Sequence, residues 1–491
     1  MVGHCGACCE GVRGIYMKSA SADSTDFFAV RPECQDEVPK TKFKNKPGKT
    51  LSARKWQSAF SQDGHLDIAK VLSRIQRGGI HPSIKGVVWE FLLGCYDPKS
   101  TFDERSLLRQ RRREQYEMWK SECKNMEPTI GSGRIITGPV ITEGGIPIQD
   151  PSSSDLNNEG PGTPTPDISP RHDGSTSPSP VDSVEKKVLQ WKLTLHQIDY
   201  FWRIGLDVVR TDRALIFYVN DSNLAKLWDV LCVYAWIDTD IGYCQGMNDL
   251  CSPMVILLQN EADAFWCFEH LMRRMRGNFK TSVSSIGVQS QLSTLAEIIK
   301  VVDPKLHQHL GSCHCPYFKV CLLMVLSHKE LSINHTRDYD FQNIDGGEYL
   351  FAFRMLMVLF RRELSFMDAI YLWELMWAME YNPNIFSQYE DPSTTTNNGA
   401  ASKGKDKPLK QYGKFERKIV KSSSLDQQAA LSVFLMAGVL EAKNKRLLKE
   451  ATGLDDVVQI LNDITGNLDA KKACREALKV HKKYLSKAKK S

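Results

Sequence analysis

The amino-acid sequence predicts an all-α protein, and three observations support this fold class. Apolar residues recur with a period near 3.6 over most of the chain between residues 184 and 302. Glycine and proline stand where several of these periodic stretches begin or end. No alternation of apolar and polar residues runs longer than a few positions, so no strand is predicted.

The first predicted helix starts at Leu66, where Ile68, Val71, Leu72 and Ile75 follow at the spacing of one helical face. Gly78–Gly79 end this helix. Pro82 predicts the first turn of the next helix, where the missing N–H of proline costs nothing. The remaining predicted helices cover Glu104 to Lys124, Leu189 to Arg210, Asn223 to Trp236, Leu250 to Leu258, Ala262 to Arg276, Ser290 to Val302 and two or three stretches within Leu425 to Ser491.

Three polar segments interrupt this helical pattern. Residues 1–50 have no sustained periodicity and are predicted to be a flexible arm. Residues 151–183 are rich in Ser, Pro and Gly, and residues 387–423 are polar and Lys-rich. Residues 151–183 bury too little apolar surface to offset the entropy of ordering them, so they are predicted to be disordered, whereas residues 387–423 are predicted to be a polar linker.

Composition narrows the functional classes. The 491 residues carry a net charge of +6, which gives no electrostatic footprint of a dedicated nucleic-acid binder, so no nucleic-acid partner is expected. No apolar run reaches the roughly 18 residues that a membrane-spanning helix needs, and no secretory signal is recognised. Fourteen cysteines lack a disulfide-like framework, which favours a cytoplasmic location.

Two features leave alternatives open. Cys5, Cys8 and Cys9 suit S-acylation or a metal clip, or simply lie in a disordered tail. The Lys-rich stretch from Ala470 to Lys490 suits peripheral contact with an acidic membrane, or a solvated helical face.

Ile204, Asp207 and Arg210 recur every three residues and therefore share one face of a helix. An aspartate one turn before an arginine can hold the guanidinium in a fixed, solvent-facing position. By itself this pattern is also that of an ordinary surface salt bridge.

The second candidate segment is Tyr243 to Asp249, which lies between two apolar helices. Its Gln245 carries an amide that can both donate and accept hydrogen bonds, which suits the positioning of a water molecule. A helix-capping turn would have the same composition.

Taken in order with a third motif, these segments resemble the TBC-domain family of Rab GTPase-activating proteins. The first family motif, Arg-x-x-x-Trp, is matched by Lys85 to Trp89. The second, Ile-x-x-Asp-x-x-Arg, is matched by Ile204 to Arg210, and the third, Tyr-x-Gln, by Tyr243 to Gln245. Lys85 replaces the usual arginine, which keeps the charge and loses the bidentate geometry. The resemblance covers about residues 52 to 382.

The resemblance implies a two-lobed helical TBC domain with disordered insertions. Arg210 and Gln245 would be the catalytic arginine and glutamine fingers, supplied in trans to a GTPase. Asp207 and Tyr243 would support them, Lys85 would affect packing or docking, and Trp89 and Ile204 would be structural. The implied organisation is an arm at 1–50, the TBC domain at 51–382 with insertions at about 125–183 and 311–344, a polar linker at 383–423, and C-terminal helices at 424–491 that complete the second lobe.

The implied function is acceleration of GTP hydrolysis by a Rab-type GTPase in its GTP-bound form, in the regulation of vesicle trafficking. No cofactor of its own is expected, because GTP and Mg²⁺ are carried by the partner GTPase. The expected location is cytoplasmic, with peripheral contact on endomembranes. The competing hypothesis is a catalytically inactive TBC module that binds a GTPase as a scaffold.

Overall fold

The computed structural model describes residues 28–130, 200–279, 281–282, 285–286, 288–312, 347–389, 409–422 and 429–488. The chain divides into two compact units, one of residues 1–120 with 200–491 and one of residues 121–199. Only residues 121–130 of the second unit are described, and they are helical. None of the described helices combines the length and the apolar character that crossing a bilayer requires.

Helices dominate the described residues, which confirms the all-α prediction. They are α1 Ala53–Gln57, α2 Ile68–Gly78, α3 Lys85–Leu92, α4 Phe102–Ile130, α5 at 200–208, α6 Asp221–Ile237, α7 Met247–Leu257, α8 Glu261–Phe279, α9 Gln289–Val302, α10 Pro304–Ser312, α11 Phe353–Met357, α12 Phe366–Glu380, α13 Ile385–Tyr389, α14 Glu416–Ser422, α15 Leu431–Glu450, α16 Leu454–Asn462 and α17 Ala470–Ala488. Two-residue strands, β1 Thr281–Ser282 and β2 Ser285–Ile286, form a small antiparallel pair.

The ends of α2 follow from its sequence. The side chain of Asp67 accepts a hydrogen bond from the backbone N–H of Lys70 and so caps the first turn. Gly79 has a φ of 71°, a left-handed value that glycine adopts without strain, and the helix ends there as predicted. Pro82 begins a 3₁₀ turn, Pro82–Ile84, which leads directly into α3.

The core is built around α12, which is buried along almost its whole length. It packs against α2, α3 and the C-terminal α17. Trp89 of α3 lies 4.8 Å, ring centroid to centroid, from Trp377 of α12. On the other side of the unit, α7 packs between α6 and α8. These contacts fix the positions of the loops that precede α6 and α7.

Part of the predicted flexible arm is held against the folded unit. The backbone N–H groups of Lys42 and Phe43 donate to the carboxylate of Asp368, at 2.8 and 2.7 Å. The ring of Phe43 lies 4.6 Å from that of Tyr371. Residues 28–50 are therefore not a free arm. They lack helical periodicity because a few separate contacts, and not a helix, hold them against the folded unit. Residues 1–27 lie outside the described residues.

The predicted linker is also partly ordered. The N–H groups of Gly413 and Phe415 donate to the carbonyl oxygens of Tyr381 and Met379, at 2.7 and 2.9 Å. Helices α13 and α14 fall within this segment, and residues 390–408 lie outside the described part. The three C-terminal helices follow, and α15 and α17 both pack on α9 and α12. Of the predicted insertions at about 125–183 and 311–344, residues 125–130 and 311–312 are helical, and residues 131–183 and 313–344 lie outside the described residues.

Candidate functional site

Arg210 lies in the turn that follows α5. The buried side chains of Ile204 and Val208 anchor this helix to the core. The side chain of Arg210 is 60% exposed, whereas that of Asp207 is only 5% exposed. The turn therefore presents a cation to solvent while its carboxylate partner stays inside the protein.

Asp207 binds two side chains through its two carboxylate oxygens. Oδ1 accepts from Nε of Arg210 at 3.0 Å and from a terminal N–H of the same guanidinium. Oδ2 accepts from the hydroxyl of Tyr243 at 2.6 Å. An arginine has five N–H donors, so two of them are fixed by Asp207 and three remain for another partner. The carboxylate orients the guanidinium without consuming its capacity to bind an anion.

Tyr243 is almost fully buried, and its environment keeps it a hydrogen-bond donor. Burial, followed by the negative charge of Asp207, raises the pKa of Tyr243 well above its ordinary value. The phenol therefore stays protonated at any pH at which the protein would work. Its role is to hold the carboxylate that holds Arg210.

Gln245 is exposed and lies on the loop between α6 and α7. Gly246, at the N-terminus of α7, has a φ of 102°, and Gly242 has a φ of 60°. Both values lie in the left-handed region, so these two glycines shape the loop. A Cβ atom on Gly246 would lie 2.9 Å from Cγ1 of Val358, which leaves no room for a side chain.

Asn248 joins the arginine turn to the glutamine loop. Its Oδ1 accepts from the N–H of Gly246 at 3.1 Å and from the hydroxyl of Tyr243 at 3.3 Å. Its Nδ2 donates to the hydroxyl of Thr211 at 2.8 Å, directly beside Arg210. The two loops are thus cross-linked by Asn248 and by the bond between Tyr243 and Asp207. The exposed side chains of Arg210 and Gln245 are carried by one rigid assembly.

Sequence analysis did not identify Asn248 or Thr211 as site residues. Thr211 directly follows Arg210 and Asn248 lies three positions after Gln245, but asparagine and threonine are also common at helix starts. The bond between Asn248 and Thr211 could not be predicted from sequence, because the two residues come from different segments of the chain.

A second set of polar contacts supports the turn that carries Arg210. Asp212, which has a φ of 46°, accepts hydrogen bonds from Ser252 Oγ at 2.6 Å and from Arg361. Tyr218 donates to Ser252 Oγ at 3.0 Å. A non-glycine residue in the left-handed region is strained, and the surrounding hydrogen bonds offset that strain. This contact also ties the turn to Arg361, which lies far along the sequence.

Arg362 and Asp249 form an ion pair at the edge of the same region, with a distance of 2.7 Å. Burial lowers the pKa of Arg362, but the carboxylates of Asp249 and Asp207 outweigh that effect and raise it. For Asp249, burial raises the pKa despite the opposing charges of Arg362 and Arg361. The pair holds the guanidinium of Arg362 at the edge of the site, with no net charge added by the two side chains together.

Lys85 and Trp89 belong to a different network. The ammonium of Lys85 lies 2.6 Å from Glu374 Oε1, and neither side chain is exposed. Nε1 of Trp89 donates to the same oxygen at 3.2 Å. Among the described contacts this buried cluster shares no residue with the Asp207 network, and the burial of Lys85 favours packing over docking. Without the ammonium of Lys85, the carboxylate of Glu374 would be buried with no counter-ion.

Metal ligation finds no support among the described residues, where no group of three or more His, Cys, Asp or Glu side chains is arranged to hold an ion. The cysteines at positions 5, 8 and 9 lie outside the described part of the chain.

The assembled site can bind an oxyanion. It offers a solvent-facing guanidinium with unused donors and an exposed amide on the adjoining loop, and both rest on buried hydrogen bonds. Pre-oriented donors of this kind lose little freedom when they bind, which suits the stabilisation of charge that develops on a phosphate.

The chain is similar to several known proteins. A family model described as the Rab-GTPase-TBC domain matches residues 181–337, which include Asp207, Arg210 and Gln245. Rab GTPase-activating protein 22 of Arabidopsis thaliana is 26% identical over 406 residues, which cover 67% of this chain and 66% of that protein. Human TBC1 domain family member 17 is 26% identical over 341 residues, 69% of this chain and 38% of that protein.

The chain thus spans slightly less than two thirds of the plant relative and just over a third of the human one. Among solved structures, the Ypt/Rab-GAP domain of Gyp1p aligns with 87% of this chain and 96% of its own, with a TM-score of 0.48 and 16% identity. Residues 181–337 thus match the Rab-GTPase-TBC domain, and the chain as a whole is similar to proteins named as Rab GTPase-activating proteins or TBC1 domain family members.

Proposed function

We propose that this protein accelerates GTP hydrolysis by a Rab-family GTPase in its GTP-bound form, through Arg210 and Gln245 supplied in trans. The observation that supports this proposal best is the cross-link between the two loops. Tyr243 bonds Asp207 at 2.6 Å, Asp207 holds Arg210, and Tyr243 lies two positions before the exposed Gln245. A protein that only binds a GTPase has no need of a buried network that holds Arg210 and anchors the loop carrying Gln245.

Arginine suits this task for two reasons. Its planar guanidinium can bridge two phosphate oxygens, and it remains charged at every working pH. An arginine supplied in trans accelerates GTP hydrolysis by roughly 10³- to 10⁵-fold, which corresponds to about 4 to 7 kcal/mol of activation free energy. Asp207 would hold Nε and one terminal N–H of Arg210, and the remaining three N–H groups would face the phosphates.

Gln245 would orient the attacking water. A primary amide can accept a hydrogen bond from the water through its oxygen and donate one to a phosphate oxygen through its NH₂ group at the same time. GTP and Mg²⁺ would be carried by the GTPase, so this chain would contribute side chains alone.

The alternative is a catalytically inactive module that binds a GTPase as a scaffold. Single-turnover GTP hydrolysis by a panel of purified Rab proteins, with the full chain in excess, separates the two. We expect acceleration of at least one Rab, and a loss of about two decades or more on Arg210→Ala. Arg54→Ala, which removes an exposed arginine on α1, serves as the control and should leave the rate unchanged. Acceleration that survives Arg210→Ala would refute the finger assignment, and binding without acceleration would establish the scaffold.

The proposed role in vesicle trafficking includes a cytoplasmic location and peripheral contact with endomembranes. A basic surface formed by Lys46, Arg77, Lys471 and Arg475 favours that contact. Nζ of Lys471 donates to the carbonyl of Arg77 at 2.6 Å, which brings α17 against α2. Burial, then the nearby charges of Lys46 and Arg475, lowers the pKa of Lys471. The wild-type protein should co-sediment with vesicles that contain phosphatidylserine, and the double variant Lys471→Glu/Arg475→Glu should stay in the supernatant. Equal sedimentation of both proteins would refute the contact.

A further inference from the structure

Helix α5 has an exposed apolar stripe on its outer face. Trp202, Leu206 and Val209 are 58%, 51% and 62% exposed. Their spacings of four and three residues place them on one side of the helix, and the N–H of Val209 still donates to Gly205 at 3.2 Å. The stripe ends directly before Arg210.

A single exposed apolar residue is ordinary, but this concentration is not. Ten large apolar side chains stand out as exposed in the described part of the chain, and five of them fall within residues 202–219. The other two of these five, Ile216 and Val219, lie on the 3₁₀ helix that follows the arginine turn. The opposite side of α5 is already buried through Ile204 and Val208, so core packing does not explain the stripe.

We propose that the stripe of Trp202, Leu206 and Val209 is the apolar anchor on which the GTPase docks. This inference rests on the proposed function, because the occupant is the protein whose phosphate pocket receives Arg210. The stripe is continuous with that site. Seven residues of helix at about 1.5 Å each separate Trp202 from Val209 by roughly 10 Å.

The size of a protein interface makes coverage of the stripe unavoidable. A standard interface buries about 800 Å² per partner, which is a disc with a radius of about 16 Å. A pocket has walls on all sides, so a partner that encloses Arg210 extends in every direction around it. It therefore covers side chains within roughly 10 Å along α5. Tryptophan is the residue type most often found at the energetic centre of such an interface, so Trp202 is the expected anchor.

The partner that fits is a folded GTPase with an apolar patch beside its nucleotide pocket. The stripe supplies binding free energy, and Arg210 supplies charge stabilisation. Loss of the stripe should therefore weaken binding and spare the chemical step, whereas loss of Arg210 should do the reverse.

The test measures binding and chemistry separately. Binding of the full chain to a Rab loaded with a non-hydrolysable GTP analogue gives the Kd. Single-turnover hydrolysis at increasing concentrations of the chain gives the half-saturating concentration and the limiting rate. Trp202→Ala should raise the Kd and the half-saturating concentration about 30-fold, the effect of losing an interface hot spot. The limiting rate should stay within about twofold of the wild type, because the chemical step does not use the stripe.

Leu206→Ser should weaken binding in the same way. Leu107→Ser is the matched control, because Leu107 is 56% exposed on α4, and it should change neither parameter. Arg210→Ala should keep a near-normal Kd and lose the limiting rate. Unchanged thermal unfolding of each variant confirms that the fold is intact.

The outcomes distinguish the two proposals. Unaltered binding by Trp202→Ala and Leu206→Ser would overturn the anchor while leaving the catalytic proposal intact. Tight binding without acceleration, weakened by Trp202→Ala, would overturn catalysis and support the anchor. A wild-type chain that binds no Rab, or one that dimerises through Trp202 with Rab binding unchanged, would overturn the anchor.

Discussion

Replacing Tyr243 with phenylalanine removes one hydroxyl from the centre of the site and alters little else. The lost group is the donor to Asp207 Oδ2, at 2.6 Å, and a weaker contact to Asn248 at 3.3 Å. Phenylalanine fills the same buried space, so no cavity forms. Asp207, almost fully buried, keeps its bonds to Arg210 but loses the partner that fixes its other oxygen.

The magnitude follows from the charge on the acceptor. A hydrogen bond to a charged group contributes roughly 1.5 to 3 kcal/mol to stability. If all of that free energy serves to keep Arg210 oriented, GTP hydrolysis slows by about 10- to 150-fold, since each tenfold corresponds to about 1.36 kcal/mol. The loss should be smaller than that for Arg210→Ala, because the guanidinium is still present.

Tyr234→Phe is the matched control. Its hydroxyl donates to Asp238 Oδ2 at 2.8 Å, so it is also a buried tyrosine bonded to an aspartate, but on α6 and outside the Asp207 network. Urea unfolding should give similar losses of stability for both variants. Single-turnover hydrolysis should slow for Tyr243→Phe alone. Equal rates for the two variants at equal stability loss would show that Tyr243 supports the fold and does not position the arginine.

Three further predictions concern groups outside this contact. Lys85→Met leaves Glu374 buried without its counter-ion and should lower the free energy of unfolding in urea by about 3 to 5 kcal/mol. The hydrolysis rate per folded molecule should stay unchanged. A slower rate would contradict a purely structural role for Lys85. Gly246→Ala forces a side chain into a φ of 102° and against Val358, so it should cost about 1 to 3 kcal/mol and slow hydrolysis, whereas an unaffected rate would show that loop shape is unimportant. Burial and the charge of Lys418 lower the pKa of His481 from its ordinary 6.5 to about 4. The unfolded chain therefore takes up this proton first, and stability should fall as the pH drops from about 6.5 to about 4. His481→Phe should reduce that slope, and identical slopes in urea unfolding would exclude the histidine as its source.

The helices could be predicted from sequence because their cause is local. Apolar periodicity places the body of α2 and α6 to α9 within a few residues, and Gly79 ends α2 as expected. Residues 28–50 could not be placed in this way. They are held by contacts with Asp368 and Tyr371, more than 300 positions away, and distant partners leave no periodic signal.

The same distinction between local and distant contacts applies to the candidate site. That Asp207 would orient Arg210 follows from a spacing of three residues on one helix. The bond between Asp207 and Tyr243 does not follow, because it joins α5 to a loop 36 residues further along the chain. Asn248 was missed for the same reason. Lys85 was assigned to its motif from the sequence, but its partner Glu374 lies 289 positions downstream, so its burial had no local signal.

The N-terminal segment has a practical consequence for work on isolated fragments. The N–H of Ile216 donates to the carbonyl of Ala29 at 2.9 Å, and the N–H of Arg31 donates to the carbonyl of Ala214 at 2.8 Å. These bonds brace the stretch immediately downstream of Arg210. A fragment that starts at residue 51, where the globular pattern begins in the sequence, would lack that brace. Recombinant versions intended for kinetics should therefore start upstream of residue 28, so that the turn carrying Arg210 keeps its support.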